Sequence, residues 1–198
     1  MSVMQRMNGL LVGAVFGAVF VVVNARSPLN TGAADVLRVA ACLGAAAVVA
    51  MWFATVRKER SAAEAGGERP AAEAGGKRPA AEARKGMFGR GYLIIVAAEV
   101  LLLFGGLRVL ALLDRPEQGN VAWVAFVVGV HFVALAPVWK DWSIAVPGAV
   151  LTVLGVAGLV LASTPAVSWV PLLSGMLSGV VLVAGSVTFG WRSLVGAS

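Results

Sequence analysis

The stretch Gly91–Leu113 reads GYLIIVAAEVLLLFGGLRVLALL, with Glu99 and Arg108 as its ionisable residues. Coiled as an α-helix at about 1.5 Å per residue, its 23 residues extend about 34 Å, enough to cross a hydrocarbon core about 30 Å thick. In lipid every backbone N–H and C=O must be satisfied within the segment or in a closed barrel. Barrel strands alternate apolar and polar residues over about ten positions. Runs such as Val19-Phe20-Val21-Val22-Val23 do not alternate, so helix is the state expected of this stretch and of those like it.

Five more apolar runs accompany it: Gly9–Asn24, Val36–Val56, Val121–Trp139, Ser143–Ala162 and Val170–Gly190. Polar or turn-forming residues follow most of them, among them Arg26-Ser27-Pro28, Arg57-Lys58-Glu59-Arg60, Asp114-Arg115-Pro116-Glu117, Lys140-Asp141 and Ser163-Thr164-Pro165. Of 198 residues 59% are hydrophobic and 13% charged, and the mean hydropathy is +0.87. Such a chain lacks the polar surface to cover a soluble globule. The fold class expected is all-α: a polytopic membrane bundle of six helices, with helices one and two in residues 1–56 and helices three to six in residues 91–198.

The net charge is +6. In a soluble protein so basic a chain would point to nucleic acid. Here the cations cluster in one interval between apolar runs, and they read as membrane orientation instead; no nucleic-acid partner is expected. With the N-terminus in the cytoplasm, twelve Lys and Arg fall on the cytoplasmic side and two, Arg26 and Arg115, on the outer side. The positive-inside rule therefore places both ends in the cytoplasm. All six tryptophans (Trp52, Trp123, Trp139, Trp142, Trp169 and Trp191) fall near the ends of runs, where indole prefers to sit. Arg6 and the apolar run ending in Val23-Asn24-Ala25 also fit a cleavable signal, which would leave five spans in the same orientation.

Residues 57–90 carry a short repeat: Ala62–Pro70 is AAEAGGERP, Ala71–Pro79 is AAEAGGKRP, and Ala80–Ala83 begins a third copy. With no aromatic residue in the repeats and recurrent Gly-Gly and Pro, the interval reads as a disordered basic cytoplasmic linker. One reading is a tolerated loop expansion; the other is a strap on anionic lipid, where each cation near the surface contributes about 1 kcal/mol.

Small residues mark helix contacts. Gly9, Gly13 and Gly17 form a stripe at spacing four, and Gly175 and Gly179 repeat it beside Ser174 and Ser178. Gly148, Gly155 and Gly158 do something similar in the fifth run, at spacings of seven and three. Such stripes let helices approach closely where lipid supplies no hydrophobic drive, either within one bundle or between copies.

Ionisable groups inside a membrane are costly and mark function or helix clasps. Glu99 and His131 each lie about 12 Å from the cytoplasmic end of their runs. Their runs are joined by a short connection and should form an antiparallel hairpin, which brings the two to one level. The pair reads as a polar clasp between helices or as a minimal proton relay. Near the outer surface Asn24, Asp35, Arg38 and Arg108 are expected either to snorkel or to line a small polar vestibule. The single cysteine, Cys42, excludes an internal disulfide and reads as a packing residue. One histidine and one cysteine do not assemble a zinc site. No nucleotide loop, zinc-protease helix, CxxC pair or Ser/His/Asp set is present. No cofactor, metal or catalytic residue is expected, nor an enzyme.

Gly129-Val130-His131-Phe132-Val133-Ala134-Leu135-Ala136 resembles a G-x-H-F-x-P-L-A stretch of small, uncharacterised multi-pass membrane proteins of bacteria, and the run Gly13–Asn24 is similar to theirs. Ala134 stands where that pattern has proline. The resemblance carries no assigned activity; it implies a multi-pass architecture and singles out His131 and Asn24. The expected location is the bacterial cytoplasmic membrane. The expected role is a non-enzymatic interaction or accessory function, with another membrane protein or a second copy as partner. The alternative is a small, proton-linked transporter or channel that uses Glu99 and His131.

Overall fold

The structure, a computed structural model, describes residues 3–66 and 90–195. Six long helices account for most of them: α1 (Val3–Asn24), α2 (Thr31–Gly66), α3 (Arg90–Leu112), α4 (Gln118–Trp139), α5 (Ala145–Leu161) and α6 (Leu177–Val195). A 3-10 turn, Trp142–Ile144, leads into α5. A second 3-10 turn, Pro165–Trp169, and a π-helical turn, Pro171–Met176, lead into α6. No strand occurs among the described residues. With their lead-in turns, the six helices are each long and apolar enough to cross a membrane.

The second helix departs from expectation. It does not stop at Val56 but continues to Gly66, so the linker expected at 57–90 begins as helix. The reason is local: Arg57–Ala65 contains neither Gly nor Pro and is built mostly from Ala, Arg, Lys and Glu, all strong helix formers. The rest of the expected linker, 67–89, with the second and third repeats, lies outside the described residues.

The centre of the bundle is α6 with its π-helical lead. In this last span 56% of the apolar stretch is buried, whereas α3 has no buried residue. Two adjacent rows of small residues explain the difference. One row faces α1: a Cβ on Gly179 would meet the Gly17 carbonyl oxygen at 2.5 Å, and one on Gly17 would meet that of Gly179 at 2.7 Å. The same row places Gly175 against the Asn24 side chain and Ser186 beside Gly13. The other row faces α5, where Ser174 packs on Gly158 and its hydroxyl donates to the Leu154 carbonyl at 2.8 Å.

Gly9 departs from the expected stripe, since a Cβ there would meet nothing within 4 Å. Residues four apart advance about 40° beyond a full turn, so Gly9 has rotated away from the face on which Gly17 meets α6. Around α1, α2 and α6 two apolar clusters close the core. Val21, Ala25, Ala34, Ala41 and Met176 fill one end; Met7, Ala14, Val48 and Met51 fill the other.

Helices α4 and α5 pack as closely. Gly129 lies on Gly148 and Thr152, and Gly155 on the Phe126 backbone. Helix α3 sits outside this assembly against α4 and makes no comparable contact with another helix. The connection between them turns at Asp114, whose φ of 48° is left-handed, a conformation Asp tolerates better than most residues.

Candidate functional site

The seam between α3 and α4 holds three contacts in register. Tyr92 stacks on Trp139 with ring centroids 6.3 Å apart and planes 16° from parallel. Glu99 Oε2 lies 2.8 Å from His131 Nδ1. Trp123 Nε1 donates to the Leu102 carbonyl at 3.0 Å, and its ring fills the space that a side chain at Gly106 would need. On α3 the three positions, 92, 99 and 106, recur every seven residues; on α4 they recur every eight, at 139, 131 and 123. Seven residues are about two turns and about 10 Å of rise, so the contacts are spaced like rungs along an antiparallel pair.

The middle rung is the chemically distinctive one. The two side chains are 24% and 15% exposed, on the outer helix and its single close neighbour. The carboxylate lies off the direction of a well-aligned hydrogen bond, and Nδ1 has no aligned partner. The two side chains thus meet as a polar contact between neighbouring helices. The ring of Phe132 stands edge-on to the imidazole at 5.8 Å and 76°. Among the described residues no three His, Cys, Asp or Glu side chains gather as a metal site.

The expected outer cluster does not form as one site. Arg38 pairs with Asp35 at 2.8 Å, one turn away on α2. Its remaining donors go to the end of α1: Nη2 to the Ala25 carbonyl at 2.6 Å and Nε to that of Val22 at 3.3 Å. The guanidinium therefore caps the carbonyls that a helix C-terminus leaves without partners. Asn24 turns inward, 3% exposed, and its Nδ2 donates to the Phe20 carbonyl at 2.9 Å. Its Oδ1 is buried without a partner. Arg108 projects from α3, exposed and without an ion pair or side-chain hydrogen bond to the described residues. Arg38 finds nearer acceptors than a vestibule offers, and Arg108 rides on a helix that packs against α4 rather than α1 or α2.

A cavity of about 470 Å³ does open among the loops at this end, lined by residues the sequence did not single out. Arg26, Glu117, Gln118, Asn120 and Ser168 supply its polar wall. A second cavity, about 510 Å³, lies at the other end between α1, α5 and α6. Neither is lined by Glu99 or His131. Helix α4 runs unbroken through Ala134. The Tyr92 and Trp123 rungs were also missed; the spacing of seven against eight on two neighbouring runs is the signal that carries them. No family model, curated protein or solved structure matches the chain.

Proposed function

We propose that this chain is a non-enzymatic protein of the bacterial cytoplasmic membrane, threaded with both ends in the cytoplasm, that acts by binding another membrane protein or a second copy of itself. The observation that carries this reading is the position of the Glu99–His131 pair. It lies on the rim of the bundle, between the outermost helix and its neighbour, and lines neither large cavity. A transport route needs polar groups along a water-filled path. A partly exposed polar pair on the rim serves instead as a clasp, and it offers a hydrogen-bond acceptor to an incoming helix. Leu101 and Ile94, 73% and 67% exposed, give α3 an apolar face that none of the described helices covers. The excess of Lys and Arg on one side of the spans supports the threading. The resemblance around His131 supports the multi-pass architecture.

The alternative, proton-linked transport, draws on the 2.8 Å approach of two titratable groups about 12 Å from one end of their helices. Reconstitution into proteoliposomes separates the two. The interaction reading expects proton flux at two pH values indistinguishable from that of empty vesicles. It also expects a photo-crosslinker at Leu101 to capture a discrete membrane protein in cells. A flux that Glu99→Gln abolishes would replace this reading with transport.

A further inference from the structure

The cavity between α1, α5 and α6 is a groove with an apolar wall and a polar mouth. Val150, Val181, Leu182 and Phe132 line its depth; Ser143, Ser193, Asp141 and Arg192 stand at its mouth. Arg192 and Val181 are eleven positions apart, about 16 Å along the helix and roughly half of a hydrocarbon core about 30 Å thick. The groove is thus one leaflet deep. Its 510 Å³ spread over that depth gives a bore roughly 6 Å wide. A single polymethylene chain fits such a bore.

Two glycines on facing helices keep the bore open. Gly9 and Gly185 both line it, and a Cβ on either would meet nothing within 4 Å. They leave space rather than bringing helices together. The mouth carries both signs, the Arg192 guanidinium and the Asp141 carboxylate, but the two are held differently. The Asp141 carboxylate accepts from the Ser143 amide at 3.1 Å and from its hydroxyl at 2.5 Å, which ties it to the start of the turn before α5. Arg192 is exposed and makes no ion pair or side-chain hydrogen bond with the described residues. Lys140 lies between two residues that line the groove.

We propose that this groove seats one acyl chain of an anionic glycerophospholipid from the leaflet on the side of the N-terminus, with the headgroup phosphate on Arg192. The proposal rests on the membrane reading of the chain. It explains why Gly9 belongs to a small-residue stripe yet packs against no helix.

The test is native mass spectrometry of the full chain in detergent, titrated with phosphatidylglycerol and with phosphatidylcholine of the same acyl chains. Both lipids carry the phosphate, but phosphatidylcholine sets a choline cation beside it and has no net charge; one cation gains about 1 kcal/mol at a net anionic headgroup, so the wild type should prefer phosphatidylglycerol roughly five-fold. Arg192→Gln should abolish that preference while one lipid still binds. Gly185→Leu and Gly9→Leu fill the bore from opposite sides, and either should reduce binding of both lipids; circular dichroism identifies a variant that fails to fold, and the other then decides. Equal binding of the two lipids by wild type, or bore-filled variants that bind as well as wild type, would overturn the proposal. So would a dimer that Gly185→Leu dissociates, since a second copy would then occupy the groove. A chain that stays monodisperse without detergent would overturn the membrane reading instead.

Discussion

Helices α3 and α6 show how differently two apolar segments of one chain can be used. The α3 run is the more apolar of the two, yet it holds no buried residue, while most of the last span is interior. In water the order would be reversed, because burial follows apolarity there. Lipid tails are as apolar as leucine, so leucine gains little by leaving them. What draws a helix inward is close backbone approach. The last span carries Ser174, Gly175, Ser178, Gly179 and Ser186 on its two inner rows, whereas α3 presents Leu93, Ile94, Leu101 and Phe104 to the outside. Its attachment falls to the three rungs.

The sharpest way to break this contrast is to put the same side chain on both helices. Gly179→Val drives its methyl groups into the Gly17 backbone and should cost about 3 kcal/mol or more in reversible unfolding in detergent. Gly105→Val meets nothing within 4 Å and should change stability by less than about 0.5 kcal/mol. Equal losses would mean that small residues do not distinguish core from rim. Next in size is Gly106→Ala. The new methyl would occupy the place of the Trp123 indole, displace it and break its hydrogen bond to Leu102. About 1–3 kcal/mol should be lost, along with a change in tryptophan emission; a silent Gly106→Ala would show the seam to be loose. The smallest effect belongs to the middle rung. A double-mutant cycle of Glu99→Gln and His131→Asn should give a coupling of about 0.6 kcal/mol, and no more than about 1.7, the range found for polar contacts between membrane helices. A coupling of zero would mean that the two groups approach without energetic consequence.

The six apolar runs and the Gly17, Gly175 and Gly179 contacts were legible because they depend on one-dimensional properties, run length and residue size. The Glu99–His131 approach was legible for a related reason: a short connection forces two helices antiparallel, and equal depth then follows from counting. The flanking rungs were not, because α3 is apolar around its whole circumference and its pattern does not say which side meets α4. The role of Arg38 at the end of α1 was not legible, since sequence shows it as a charge near other charges and hides the open carbonyls it meets there. The extent of α2 was misjudged for yet another reason. Charged residues close an apolar run without closing a helix, and Arg57–Ala65 continues as helix on propensity alone.

The pairing of α1 with α6 sets the order in which this protein can be completed. Helix α1 has its closest partner in α6, with four other long helices between them in the chain. Until α6 follows, the glycine face of α1 lacks the partner it meets at Gly179, whereas α3 and α4 are neighbours in the chain and can enter as a hairpin. A nascent chain arrested before Pro165 would thus hold five of the six described membrane-length helices and lack the one at the centre of the bundle.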